Sequence, residues 1–207
     1  MAHSWSLYQR SPAFILGFHG NTKETIDAVL DGTRTHLGRS KGRFEWLGHG
    51  IYFWENDPQR GLEWAEGIHS KKKSQDTAVV GAIIDLGLCL DLTTRMGLQE
   101  VAEAFATLRD AYGTAGKPLP SNIGGKDKIR RELDCQVIQA LHLYRQERGQ
   151  RPYDSVRAPF PEDEPLYEDA GFRRRNHIQI AVINTECIKG YFRPLQISES
   201  LSPSAAS

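Results

Sequence analysis

Nowhere in the chain do about 18 apolar residues follow one another, the length that a membrane-spanning helix requires. The first apolar stretch, Ala13 to Phe18, is far shorter than the core of a secretory signal peptide. Neither a membrane partner nor export is therefore expected. Cysteine is scarce: Cys89, Cys135 and Cys187 make three, an odd number, and each sits in an apolar stretch. Reduced core thiols fit that pattern better than a disulfide framework, which points to a cytoplasmic location. Net charge is missing too. Lys and Arg total 26 against 26 Asp and Glu, which argues against a uniformly basic nucleic-acid binder and leaves local basic patches open. The seven histidines and three cysteines never fall at metal-ligand spacing, with no His-Glu-x-x-His and no Cys-x-x-Cys, so no metal is expected. Gly48-His49-Gly50 lacks the third glycine and the preceding strand of a dinucleotide fingerprint. Gly124-Gly125-Lys126 lacks the first Gly and the Ser/Thr of a phosphate loop, and Gly-x-Ser-x-Gly does not occur.

What is present suits one domain. A chain of 207 residues is long enough to bury about 70% of its unfolded surface without a staple. Short strands and helices alternate along it. Ala13 to Phe18 reads as a strand, with Asn21 as a helix cap and Glu24 three residues on, leading into Ile26, Val29 and Leu30. Thr33 to Gly42 reads as a mobile basic loop, with Arg34, Arg39 and Lys41. Gly50 to Trp54 is a second strand, and Asp57-Pro58 opens a helix to about His69, followed by the solvated run Lys71 to Lys73. Ala78 to Leu86 and Leu88 to Leu92 are buried strands, Leu98 to Tyr112 and Asp127 to Arg148 are helices, and Tyr153 to Arg157 is a short strand. After the long loop 158–175 comes a strand, His177 to Ile183, with His177 and Gln179 on one face. Cys187 to Phe192 is a final strand. The expectation is a domain over 1–197 with a helical insertion at about 97–150, then a disordered Ser-rich tail over 198–207.

Two motifs stand out, Phe18-His19-Gly20-Asn21 and Gly48-His49-Gly50-Ile51-Tyr52-Phe53, each at the mouth of an apolar run. Together with the helix carrying Trp64 and the late strand carrying His177 and Gln179, their order resembles the ADP-ribosyltransferase superfamily, in its poly(ADP-ribose) polymerase and diphtheria-toxin branch. Gly50-Ile51-Tyr52-Phe53 before a helix is the most specific piece. The central helices have no counterpart in the resemblance.

The resemblance implies an α+β fold, an ADP-ribosyltransferase-like split β-sheet core with flanking and inserted helices, and NAD as substrate. Breaking the nicotinamide–ribose bond leaves an oxocarbenium-like sugar, so the protein must hold the ring, orient the ribose and stabilise positive charge. By resemblance, His19 hydrogen-bonds a ribose hydroxyl, Gly20 grips the carboxamide through its backbone, and Asn21 reaches the adenosine-side ribose. Tyr52 stacks on nicotinamide, and Trp64 supplies a second stacking aromatic. The family's catalytic Glu falls here on His177 or Gln179. Gln179 can hydrogen-bond a hydroxyl and His177 can take an acceptor proton near neutral pH. Glu164, Glu168 and Asp169 in the preceding loop are further sources of a carboxylate.

Single ADP-ribose transfer to a macromolecule is therefore expected rather than chain elongation. RNA or DNA is slightly favoured as acceptor over protein, because Arg34, Arg39, Lys41 and Arg43 lie on one side and Arg173 to Arg175 on the other. The alternatives are an NAD glycohydrolase, an RNA 2′-phosphotransferase-like enzyme, or a non-catalytic module that binds NAD or ADP-ribose. A small transferase of this kind also resembles toxins of bacterial toxin–antitoxin and phage-defence systems, which implies an antitoxin protein as partner.

Overall fold

The computed structural model describes residues 14–69, 76–125 and 129–195. Ala13, Lys71 to Lys73, Lys126, Asp127 and the tail from Ser198 to Ser207 lie outside the described residues. In chain order the elements are β1 (Ile15–Thr22), α1 (Lys23–Leu30), β2 (Ile51–Glu55), α2 (Pro58–His69), β3 (Thr77–Ile84), β4 (Cys89–Asp91) and α3 (Arg95–Thr114). The two-residue strands β5 (Asn122–Ile123) and β6 (Arg130–Arg131) follow, then α4 (Glu132–Glu147), β7 (Ser155–Phe160), β8 (His177–Val182) and β9 (Ile188–Phe192). The fold is α+β.

Seven strands form one sheet in the order β4-β7-β8-β2-β1-β3-β9. Neighbours are antiparallel except β4 and β7. A parallel pair needs a long crossover, and α3 and α4 provide it. Apolar alternation then builds two cores, one on each face. Ile51, Phe53, Val80, Ala82, Ile84, Ile180 and Val182 bury Ile26 and Val29 of α1 and Leu37 of the following loop. On the opposite face Val156, Ala158, Phe160 and Ala181 meet Ala104 and Leu108 of α3 and Val137, Ile138 and Leu141 of α4. The second core explains why α4 carries four buried apolar side chains, Cys135, Val137, Ile138 and Leu141, on one stripe.

Two local expectations are corrected. Asn21 does not cap α1. The Thr22 hydroxyl accepts from the Thr25 backbone N–H instead, because β3 pairs with every residue of β1 from Ile15 to Thr22 and draws the strand four residues past Phe18. The basic loop after α1 is not loose either. Leu37 is buried in the core, its N–H donates to the Tyr191 hydroxyl, and Ser40 bridges to Gly50.

On the face of the first core, Arg157 of β7 makes a bidentate pair with Glu55 of β2, at 2.6 and 2.9 Å, and also reaches Asp91 of β4 at 3.1 Å. Asp154 clamps the start of β7. Its carboxylate accepts from Leu88 N–H, Asn184 Nδ2 and Arg151, while its backbone carbonyl accepts from Ile183 and Asn184. The cysteines are free and buried, and burial pushes their thiols up, to about 12 for Cys89 and about 11 for Cys135 and Cys187. Such thiols are inert at neutral pH. Among the described residues no helix is long and apolar enough to cross a membrane.

His142 on α4 packs edge-on against Tyr153, and both of its ring nitrogens are buried without a partner. Burial pushes its pKa down to about 4. The unfolded chain, whose His titrates near 6.5, therefore binds the extra proton first as pH falls. Stability is expected to be complete above about pH 6.5 and to decline from there towards pH 4. In urea titrations at stepped pH, His142→Leu should lessen that decline, to which the buried His19 and His177 also contribute. An unchanged slope would show that His142 is not one of its sources.

Candidate functional site

The two halves of the sheet, β4-β7-β8-β2 and β1-β3-β9, are joined by only two residue pairs, Gly17 with Glu55 and Phe18 with Trp54. Strand parity identifies what faces the break. Asn56 N–H donates to Leu16 C=O on the β2 side, and Lys23 N–H donates to Asp76 C=O on the β3 side. Antiparallel backbone groups alternate in direction, so the N–H and C=O of Gly20 point towards β2. The ladder has already stopped there. In place of a Gly20 to Tyr52 pair, the His19 ring crosses the interval and donates from Nδ1 to the Tyr52 carbonyl at 2.7 Å.

His19 is 8% exposed, with its ring against Phe53 at 6.0 Å between centroids. Burial lowers its pKa despite the opposing effect of the Tyr52 carbonyl, so the imidazole is neutral at pH 7. With the proton fixed on Nδ1, Nε2 is an acceptor, and Asn21 Nδ2 lies 3.3 Å from it. Asn21 is turned towards His19, its Oδ1 accepting from Thr22 N–H. Asn21 thus belongs to this group through the strand, one turn of alternation beyond His19.

Tyr52 reaches the same break from the opposite face. Its ring is partly buried against the second core, and its hydroxyl donates to Gly48 C=O and accepts from Leu47 N–H, both at 2.8 Å. Gly48 has φ +76°, and a Cβ there would fall 2.7 Å from Gln139 Nε2. Only glycine allows that turn. The side chains of His19 and Tyr52 therefore do not line one wall. They approach the break from two sides, and what joins them is the Tyr52 backbone.

On the Tyr52 face, Trp54 pairs with Gln179 and Tyr52 with Ala181 across β2 and β8. At about 7 Å per two residues, Gln179 is one step from the level of Tyr52 and His177 is two. Gln179 is buried, yet among the described residues its amide makes no protein hydrogen bond. His177 donates from Nδ1 to Arg175 C=O at 2.8 Å, which leaves Nε2 as a bare acceptor, buried and without a partner. Burial outweighs Arg175 C=O and Glu162 and lowers its pKa. Trp54 Nε1 and Arg60 Nε are likewise buried and unpartnered. Arg60 lies over the Trp54 ring at 5.8 Å and pairs with Glu162 at 3.0 Å, and Glu162 lies 4.0 Å from His177. Trp64, 39% exposed on α2, leans on Trp54 with centroids 5.6 Å apart. It reaches this cluster through Trp54.

Glu164, Glu168 and Asp169 are exposed, and the acid that turns inward is Glu162. The loop folds back on itself, with Pro165 bridged to Arg173 and positive φ at Asp163 and Asp169. Arg173 donates to Asp163 C=O and Arg175 pairs with the Asp163 carboxylate at 3.4 Å, so two of the three arginines hold the loop rather than a ligand. Sequence reasoning missed Trp54, Arg60 and Glu162. The i, i+2 relation of Trp54 to Tyr52 on one strand was a signal for the first. Nothing local marked the other two.

A mostly apolar cavity of about 490 Å³ lies between α3, α4 and the sheet, walled in part by Trp46, Arg131 and Phe160, and has none of His19, Gly20, Tyr52 or Gln179 in its walls. Among the described residues no cluster of His, Cys, Asp and Glu is suited to a metal. Comparison with protein-family models, with curated proteins and with solved structures finds no match.

At the break α2 packs closely on Gly20. A Cβ on Gly20 would fall 1.9 Å from the Gly61 carbonyl oxygen of α2, whereas at Gly67, further along that helix, it would meet nothing within 4 Å. Gly20→Ala is expected to cost about 1–3 kcal/mol, the range for forced overpacking. Gly67→Ala should be neutral or stabilising by up to about 1 kcal/mol. Urea midpoints of the two variants check the contrast. Equal midpoints would mean that α2 does not rest on Gly20.

Proposed function

We propose that the chain is an ADP-ribosyltransferase-like enzyme with a split-sheet core, cleaving NAD and transferring a single ADP-ribose to a macromolecule. The observation that carries this reading is the interrupted ladder at Gly20. There an adjacent backbone donor and acceptor face a gap edged by the Tyr52 strand, and the two groups match the C=O and NH₂ of a carboxamide. The fixed, neutral His19 beside them supports it, since a ribose hydroxyl can replace Asn21 Nδ2, 3.3 Å away, on the acceptor Nε2. Tyr52 supplies the ring for nicotinamide, with Trp54 and Trp64 as further aromatic surface.

In this reading the Gln179 carbonyl oxygen accepts a hydrogen bond from the nicotinamide-ribose hydroxyl and orients the sugar. The C–N bond to nicotinamide breaks, its electron pair leaving with the ring, and positive charge develops at the ribose carbon. An acceptor atom then donates its lone pair to that carbon and passes its proton to His177 Nε2, the unpartnered neutral acceptor. Glu162, held by Arg60 and close to His177, stabilises the imidazolium formed. An amide at position 179 offers less stabilisation to a cationic sugar than a carboxylate does. That same feature favours a second reading, a module that binds NAD or ADP-ribose without turnover.

NAD and nicotinamide should each raise the melting temperature of the wild-type chain, and His19→Ala should lose the NAD shift. Free nicotinamide should appear when acceptor is present. Gln179→Ala is expected to lower kcat by about 100-fold, as for removal of one preorganised transition-state hydrogen bond, and Gln179→Glu to raise it. Melting shifts without nicotinamide release would favour the binding module. Absence of any shift at millimolar NAD would refute both.

A further inference from the structure

The segment that leads into Tyr52 carries a surface that the proposed NAD site leaves unused. Phe44, partly buried, has the Arg43 guanidinium at 4.6 Å and the Arg130 guanidinium at 4.4 Å from its ring centroid. Beside it Trp46 has Arg131 at 4.3 Å, and the same guanidinium lies 5.2 Å from Phe160. Trp46 and Phe160 stack edge-on with centroids 4.3 Å apart, and Phe160 lies 5.8 Å from His177. Rings therefore run inward from Trp46 through the buried Phe160 to the proposed acceptor base, with Phe44 two residues ahead of Trp46 on the same loop.

Charge along this row is uncompensated at its outer end. Arg34, Arg39, Lys41, Arg43 and Arg130 are all exposed. Among the described residues none of the five makes an ion pair. None of the nearby acids pairs with these five: Glu45 accepts from the Ser40 hydroxyl, Asp134 accepts from Asn122 and pairs with Arg131 at 3.6 Å, and Glu132 makes no ion pair among the described residues. A guanidinium over a ring still has N–H donors to offer at its edge, which suit phosphate oxygens. Aromatic faces next to it are of use only against bases that are not already stacked in a duplex.

We infer that the row Arg43–Phe44–Arg130 and Trp46–Arg131 binds a single-stranded nucleic acid, phosphates on the outer arginines and bases along the rings, and leads it to His177. Its role as acceptor rests on the proposed transferase reading; the binding surface does not. The loop is held to the site by covalent continuity and by the Tyr52 hydroxyl on Leu47 and Gly48, so a strand bound there is delivered to the break in the sheet.

The test is fluorescence anisotropy of labelled 12-nucleotide single-stranded RNA and DNA with the full chain, between 50 and 200 mM salt. Arg43→Ala/Arg130→Ala should weaken binding by about tenfold or more and lower the salt slope by about 1.4, two phosphate contacts at about 0.7 each. Arg43→Lys/Arg130→Lys should keep the slope and still bind more weakly, because the guanidinium contact with Phe44 and its fork of donors are lost. All variants should keep the wild-type NAD melting shift. Unaltered oligonucleotide binding by the alanine variant overturns the surface, as does tighter arginine-dependent binding of an acidic peptide than of either oligonucleotide. If oligonucleotides bind through these arginines while NAD gives no shift, the surface stands and the transferase reading falls. If NAD shifts the melt and the oligonucleotides ignore the arginines, the reverse holds.

Discussion

The site depends on one hydrogen bond, from His19 Nδ1 to the Tyr52 carbonyl. A break in a sheet exposes buried backbone groups, and leaving one unmet costs about 1–3 kcal/mol. The imidazole meets the Tyr52 carbonyl from the neighbouring strand and so lets the two halves of the sheet stand apart without that penalty. Burial keeps the ring neutral, and the carbonyl holds its proton on Nδ1. The acceptor character of Nε2 is thus a consequence of how the break is stabilised.

Buried polar atoms without partners are uncommon in folded proteins, and each calls for a reason. Three of them, on Trp54, Arg60 and His177, belong to one face around β2 and β8. Arg60, Glu162 and His177 form a chain of contacts there, and the Gln179 amide lies beside it. His142 has unpartnered nitrogens as well, but it sits on α4 against Tyr153, remote in the fold from β2. The same atomic signature therefore has two meanings, a burden on stability in the helical core and a poised polar cluster beside the break.

The crossover helices serve the site indirectly. α4 buries Val137 and Ile138 under the sheet, and the chain just before it supplies Arg130 and Arg131 to the rings of Phe44 and Trp46. The loop ahead of β2 is thereby fixed between α4, the Tyr52 hydroxyl and Tyr191 of β9. A segment rich in Gly and Arg gains a defined shape because tertiary partners take up its aromatic rings and Leu37.

Much of the fold was legible in the residues, since alternation in β2, β3 and β8 and the apolar stripes of α3 and α4 report which side chains face a core. The length of β1 was not, because it follows from pairing with β3, more than fifty residues away in sequence. Nor was the inward carboxylate. Glu162 and Glu164 differ little in local pattern, and the fold-back of their loop, with Asp163 at φ 72° and Asp169 at φ 60°, decides which one meets Arg60. By itself the sequence determined the order of elements, the faces of their side chains and the glycines at positions 20 and 48. Only the tertiary structure decided where β1 and β2 part, which acid turns inward and which arginines remain unpaired. Periodicity is a local property of the chain, whereas strand pairing and charge pairing join residues far apart in it.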